Sequence, residues 1–350
     1  MKMIPLSDRQ AVILNKLRQT DRISAEQLRQ TLGDISIATI KREMKALVLL
    51  GYTMSSGRGR GSGYALTKLG ELLTPVDAHA YCAQEPDARG GFESFDSGLL
   101  SATPGTVFTD AERARLEAAT TSYQARAREI SETLTKKELE RFVIELSWKS
   151  SRIEGNTYTL FDTERLIREG ISSEGHSPEE AAMIINHKRA FEFVYANRQL
   201  FSGEPSRAAV EEVHRLLVEG LNVGGGLRRQ MVGIVGTRYR PLDNQFQINE
   251  ALDELRRVIG RVKEPYTAAL MALLGISYIQ PFEDGNKRTA RLLVNAVLLA
   301  RSCAPLSYRS VDEIAYREAT LVFYETHSLA PFRDIFVEQY LFAAEQYGLK

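Results

Sequence analysis

The sequence predicts a mainly α protein with small β elements in two places. Three observations carry that reading. Apolar residues recur at three- and four-residue spacing through most of the 350 residues. Polar cap residues, several followed by Glu or Gln, open these stretches. Short β-like runs occur around 52–66 and 232–240, both punctuated by glycine. The length suits two or three domains with enough chain to bury a core.

The first helical pattern starts at Ser7, an N-cap, and places Val12, Ile13, Leu14 and Leu17 in one stripe. A second helix runs from Ser24 to Leu32 and stops at Gly33. A third, from Ser36 to Leu50, turns Ile37, Ile40, Met44 and Leu47 inward, which leaves Thr39, Arg42 and Lys45 on an outward face. Tyr52–Met54, a glycine-rich basic turn and Tyr64–Leu66 follow. Three short helices and a hairpin read as a winged helix-turn-helix domain over residues 1–73, separate from the rest of the chain. In such a domain the third helix enters the major groove of double-stranded DNA, with Arg58 and Arg60 of the wing near phosphates or the minor groove. Residues 1–75 carry twelve Lys/Arg against six Asp/Glu in a chain whose totals are 45 and 45, so a basic module sits on an acidic body. The same fold also serves protein docking and dimerisation, so a homodimer remains among the partners considered.

Residues 74–109 lose periodicity and contain Pro75, Pro86, Pro104 and Gly90-Gly91, the mark of a linker. A helical body over 110–350 follows. Asp110 opens a polar helix to about Leu134, and a capping box at Thr135–Glu138 opens the next, whose stripe is Leu139, Phe142, Val143 and Leu146. Helices are then expected at 178–197, 206–221, 249–262, 266–279 and 292–300, another from 307–313 through Tyr316, Phe323 and Tyr324, and a last at 332–347. His187 and His214 fall inside helices without a second ligand at metal spacing and read as structural. A hairpin is expected at 232–240.

Composition excludes several classes. The hydrophobic fraction of 43% and charged fraction of 26% are those of a globular protein. No run approaches the roughly 20 apolar residues that cross a bilayer, and the first residues lack a signal-peptide core, so we expect a cytoplasmic protein with no membrane partner. Cys82 and Cys303 stand alone, which indicates neither a disulfide framework nor a zinc site.

The chemistry concentrates at Tyr278–Arg291, Tyr-Ile-Gln-Pro-Phe-Glu-Asp-Gly-Asn-Lys-Arg-Thr-Ala-Arg. Asp-Gly-Asn opens an apolar helix whose first N–H groups can face an anion. Arg288 and Arg291 share one face and offer two guanidinium forks suited to phosphate oxygens. Asp284 stands at the mouth of the turn, where a divalent cation accompanying such phosphates can be held. The string resembles the signature of the Fic (Fido) family, His-x-Phe-x-Asp/Glu-Gly-Asn-Gly/Lys-Arg-x-x-Arg, at Phe282, Asp284, Gly285, Asn286, Lys287, Arg288 and Arg291.

The resemblance implies an all-helical Fic core with a small β-hairpin flap. It also implies phosphate binding at 285–288 and Arg291, Mg²⁺ at Asp284, and transfer of AMP from ATP to a hydroxyl side chain of a target protein. Lys287 also occurs in branches that move a different phosphate-containing group. The family's general-base histidine corresponds to Gln280, and a carboxamide orients a hydroxyl without taking its proton. Upstream, Ser150-Ser151-Arg152-Ile153-Glu154-Gly155 resembles the family's inhibitory motif, Ser/Thr-x-x-x-Glu-Gly/Asn. Ser150, Glu154 and Gly155 are thereby implied to lie on an inhibitory helix at about 135–155, with Glu154 paired to Arg291 in the space of the ATP γ-phosphate. Val232, Ile234, Gly236 and Tyr239 fall where the family's flap binds a target strand. Two functions stay open: an autoinhibited adenylyltransferase whose transfer step is impaired at Gln280, and a non-catalytic regulator in which nucleotide biases DNA binding.

Overall fold

A computed structural model describes residues 6–20, 22–33, 35–57 and 62–349. Among them the fold is mainly α, as the periodicity predicts, with a single two-stranded sheet.

The amino-terminal unit begins with α1 (Asp8–Arg18), α2 (Ala25–Leu32) and α3 (Ile37–Leu49), each capped by a serine, Ser7, Ser24 and Ser36, whose hydroxyl accepts an amide of the first turn. Their inner faces bury Ile13, Leu14, Leu17, Leu28, Ile40, Met44 and Leu47. Val12 does not join that stripe: it is 49% exposed, one residue round the helix from the buried face. Strand β1 (Thr53–Ser56) pairs antiparallel with β2 (Gly63–Leu66), Thr53 opposite Leu66 and Ser56 opposite Gly63. Arg58 and Arg60, expected at the tip of this hairpin, lie outside the described residues. Helix α4 (Lys68–Leu73), capped by Thr67, closes the unit.

Residues 74–109 contain α5 (Ala78–Cys82), a 3₁₀ turn at Pro86–Ala88 and α6 (Ser97–Ser101). Leu99, Leu100, Val107 and Phe108 are buried, so the segment runs as a strap along the body.

The body comprises α7 (Asp110–Glu129), α8 (Glu132–Ile153), α9 (Leu160–Glu169), α10 (Pro178–Ala196), α11 (Arg207–Val218), α12 (Gln245–Arg261), α13 (Pro265–Ile279), α14 (Asn286–Ala300), α15 (Glu313–Thr326) and α16 (Ala330–Gln346). Every residue of α13 from Tyr266 to Ile279 is buried, as is nearly all of α14. A helix apolar all round must be surrounded, and the antiparallel pair α13–α14 is the centre that the other helices cover.

Three local expectations change. The polar helix from Asp110 stops at Glu129 because Ile130 is extended, and Ser131 caps α8 ahead of the predicted start at Thr135. Helix α9 was not expected; its signal is a Thr159–Asp162 capping box before Leu160. At 232–240 the chain turns at Val235–Gly236 without pairing to itself, because Arg240 instead donates its N–H to the Glu93 carbonyl at 2.8 Å and bridges Ser94 of the strap.

Candidate active site

Helix α13 ends on Gln280, which adopts a left-handed conformation (φ 50°, ψ 60°) unusual outside glycine and asparagine. The bend is fixed from several sides. The Asn286 carboxamide accepts the Phe282 N–H at 2.9 Å and donates to its carbonyl at 2.8 Å. Phe282 stacks on His214 at 3.7 Å, and His214 bonds the Asp284 carbonyl. Gly285 has φ 77°, which favours glycine, and a Cβ there would crowd Val218 Cγ1 at 3.0 Å. With Asn286 engaged in the turn, α14 starts with no side-chain cap, which leaves its first-turn N–H groups available to an anion.

Arg228 binds this turn to the 228–242 loop. Its Nε donates to the Gln280 carbonyl at 2.6 Å, its remaining guanidinium nitrogens to the Gln230 and Leu242 carbonyls, and its backbone N–H to Pro281. Burial lowers its pKa, and the nearby Tyr239 and Asp243 only partly offset that cost.

The two signature arginines lie beside the open helix start. Arg288 donates to the Leu217 carbonyl and to Asp284 Oδ2 at 3.2 Å, while most of the Asp284 carboxylate faces solvent. Arg291 is fully buried. Its Nε donates to Ser150 Oγ at 2.7 Å, its Nη2 to the Ser150 carbonyl at 2.9 Å and to Glu154 Oε1 at 2.7 Å, and its guanidinium lies over the Tyr316 ring. Lys287 Nζ stands 3.8 Å from the other Glu154 oxygen. Burial would raise the Glu154 pKa, but Arg291, Lys287 and Arg288 pull it below the ordinary carboxylate range; burial works against the Arg291 charge, and Glu154 with Tyr316 more than restores it. The pair is therefore fully ionised at neutral pH. Glu154 sits at the end of α8, where the helix dipole disfavours an anion, and Gly155 (φ 98°) turns the chain away behind it.

Gln280 Nε2 donates to the Ser277 carbonyl at 2.6 Å and to Tyr324 Oη at 3.3 Å, which fixes the amide orientation and leaves Oε1 as the free acceptor. Two adjoining cavities, of about 320 and 270 Å³, meet at Glu154, Lys287, Ile234 and Val235. The first is floored by Gln280 and residues 283–288; the second is walled by Tyr316, Thr320 and Tyr324.

The structure thus gathers Gln280, Asp284, Gly285, Asn286, Lys287, Arg288, Arg291, Ser150 and Glu154 around one pocket. Val232 and Ile234 line it, and Gly236 lies at the exposed bend. Tyr239 does not present itself to a target: it is 2% exposed and its hydroxyl donates to the Tyr278 carbonyl at 2.8 Å. Thr39, Arg42 and Lys45 are remote from this pocket on α3, where Arg42 and Lys45 are exposed and the Thr39 hydroxyl bonds Ser36. Sequence reasoning missed Arg228, a plain arginine after glycines, and the part played by Tyr324, which the sequence shows only as an aromatic within an expected helix. The carboxylate, the open amides and the paired arginines form a donor set into which a polyphosphate with a divalent cation at Asp284 fits.

Comparison with known proteins agrees with the geometry. Residues 204–298 match the model of the Fic/DOC family. The chain is 29% identical over 174 residues to protein adenylyltransferase Fic of Nematostella vectensis, 49% of this chain and 41% of that protein. It is 30% identical over 187 residues to protein adenylyltransferase fic-1 of Caenorhabditis elegans, 51% of this chain and 36% of that protein. The chain therefore spans about two fifths of the length of these relatives. Among solved structures, Fic-1 (residues 134–508) of C. elegans aligns with a TM-score of 0.55 at 20% identity, covering 68% of this chain and 71% of that one. A Fic domain-containing signalling protein from Bacteroides thetaiotaomicron aligns with a TM-score of 0.56 at 19% identity, covering 66% and 94%. At that identity the structural likeness speaks for the fold. Among the described residues, no helix is long and apolar enough to cross a membrane.

Proposed function

We propose that this chain, which carries a Fic/DOC domain matched over residues 204–298, is a nucleotide-binding protein of the adenylyltransferase type, held closed by Glu154 and weak in transfer. The observation that carries the reading is the Glu154–Arg291 bond at 2.7 Å, a carboxylate in the place a terminal phosphate would take beside an otherwise phosphate-ready helix start. Magnesium bound at Asp284 would neutralise phosphate charge and polarise the group being transferred.

The chain's own residues then divide the work. First-turn amides of α14 and Arg288 orient the phosphates, and Lys287 adds a point charge. Gln280 Oε1 accepts a hydrogen bond from the target hydroxyl. The target hydroxyl oxygen attacks the α-phosphorus, the bond to the bridging oxygen of the β-phosphate breaks, and pyrophosphate leaves. The hydroxyl proton passes to water, because the carboxamide cannot hold it; the absence of a positioned base slows such a step by about 10² to 10⁴. The backbone of 232–236 offers a target a place to lie across the pocket.

Incubation with Mg-ATP and a lysate, followed by mass spectrometry for adenylyl-modified Ser, Thr or Tyr, tests the reading. Weak labelling that rises in Glu154→Gly supports it, and no nucleotide binding by Glu154→Gly removes it.

A second reading rests on a different observation: the three helices and hairpin of residues 6–66 present exposed Arg42 and Lys45 on α3, in a segment with a positive balance. That surface suits duplex phosphates. On this reading the protein is a nucleotide-responsive DNA-binding regulator. Duplex affinity that falls steeply with salt and shifts with Mg-ATP supports it; salt-independent or undetectable binding removes it.

A further inference from the structure

The amino-terminal unit meets the body next to the pocket rather than at a distant edge. Helix α4 and Thr74 dock on the turn between α15 and α16, where the Leu329 N–H bonds the Leu72 carbonyl and Ser328 Oγ the Thr74 carbonyl. At the centre of this seam is His327, wholly buried, with its ring stacked on Phe92 of the strap at 4.0 Å. Its Nδ1 lies 2.8 Å from Glu71 of α4 and its Nε2 3.0 Å from Tyr278 Oη of α13.

The proton assignments follow from the surroundings. The Tyr278 oxygen accepts the Asp96 N–H at 2.9 Å, so its own proton points to His327 Nε2. Nδ1 therefore carries the ring proton and donates a hydrogen bond to Glu71, which also accepts from Lys68, itself 2.5 Å from Asp96. Burial lowers the His327 pKa and Glu71 only partly offsets it, so the neutral ring with this tautomer is the resting form. The chain Glu71–His327–Tyr278 then ends two residues before Gln280, and the Tyr278 carbonyl is the acceptor of Tyr239 at the base of the pocket loop.

The strap makes a second, separate connection. Phe95 stacks on Tyr278 at 4.8 Å, the Glu93 carbonyl takes the Arg240 N–H, and Arg89 donates to the Gly236 carbonyl at the loop's bend. Lys68 holds the strap from the amino-terminal side through Asp96 and the face of Phe92. Withdrawing α4 thus removes the acceptor of a buried imidazole N–H, which frees the ring to change tautomer and deprives the Tyr278 hydroxyl of its partner.

We infer that the amino-terminal unit regulates the nucleotide pocket, with Glu71, His327 and Tyr278 as positioning residues that hold Gln280 and the 232–240 loop in their binding arrangement while α4 is docked. A partner on the amino-terminal unit that favours the undocked arrangement lowers nucleotide affinity, and by reciprocity nucleotide tightens the seam. The inference rests on the nucleotide-binding reading above.

Mg-ATP titrations of Glu71→Gln, Tyr278→Phe and their double variant, all in the Glu154→Gly background, test it. Glu71→Gln keeps the shape and replaces the charged acceptor by a neutral one, and Tyr278→Phe keeps the ring; circular dichroism and Tm establish that each variant is folded before titration. Each single variant should weaken binding about fivefold or more, the lower end of ordinary coupling energies, and the double should be no weaker than the worse single. Hydrogen exchange of residues 68–74 should slow when Mg-ATP is added. Affinities within about twofold of the background, or additive losses, overturn the inference. If the background itself fails to bind Mg-ATP, the pocket reading fails separately. The seam is then judged by exchange at 276–282, where faster exchange in Glu71→Gln supports the relay and unchanged exchange overturns it.

Discussion

Replacing Glu154 by glycine perturbs one carboxylate and should move two observables in opposite directions. Glu154 gives Arg291 a charge-assisted bond at 2.7 Å and approaches Lys287 at 3.8 Å. A hydrogen bond to a charged group contributes about 1.5–3 kcal/mol. Nucleotide that must displace Glu154 loses that amount, so Glu154→Gly should bind Mg-ATP about 10- to 150-fold more tightly. The free protein should become less stable. Arg291 is fully buried and loses its carboxylate, a change that costs about 3–5 kcal/mol in a sealed site. Ser150 and Tyr316 still hold the guanidinium and Glu154 is partly open to water, so about 2 kcal/mol is expected here, or roughly 3 °C in Tm. Mg-ATP at about 100 times Kd should add about 2.7 kcal/mol, more than offsetting that loss. Calorimetric titration gives the affinity and differential scanning calorimetry the stability. A lower Tm with unchanged Kd would refute the reasoning, because it would make Glu154 a structural partner of Arg291 that does not stand in the ligand's way.

Three further outcomes follow from the geometry. Gln280→His, placed beside Tyr324 and facing the pocket, should raise adenylyl transfer about 10²- to 10⁴-fold with little change in nucleotide Kd, as read by mass spectrometry of labelled protein. Asp284→Asn removes a largely solvent-facing carboxylate, so Tm should hold within about 1 °C while the magnesium dependence of ATP binding collapses in titrations with and without the metal. Lowering the pH should destabilise the fold. His187 and His327 are buried neutral with pKa values pushed below 6.5, chiefly by burial, and the unfolded chain takes up their protons near 6.5. Their contribution is therefore complete above about pH 7 and is lost as pH falls below about 6.5, which urea midpoints at pH 7.5 and 5.5 should register.

Much of this arrangement was legible in the sequence because the signals are local. The string at 280–291 sets its own turn: Asn286 closes on Phe282 and Gly285 takes the φ of 77° that favours glycine, so residue order and geometry coincide. Ser150 and Glu154 could be placed because four residues make one helical turn. What sequence hid was long-range pairing. The loop at 232–240 alternates like a hairpin, yet its hydrogen-bonding edge is taken by Glu93 and Ser94, more than 140 positions earlier, which no local pattern announces. Arg228 and His327 look ordinary in the chain and become central only where folding brings three carbonyls to one and a carboxylate and a phenol to the other. Tyr324 sits at core spacing and is in the core; its bond to Gln280 is a property of two helices meeting. The strap at 74–109 lacks periodicity because its contacts are with the body rather than with itself.

The account depends on a triphosphate seated at the start of α14 where Glu154 now reaches Arg291. The most direct test is a crystal structure of Glu154→Gly grown with magnesium and a non-hydrolysable ATP analogue. The phosphates should lie against the amides of 285–288, with the terminal one within hydrogen-bond distance of Arg291. Nucleotide density elsewhere in the protein, with Arg291 still bonded only to Ser150, would contradict it.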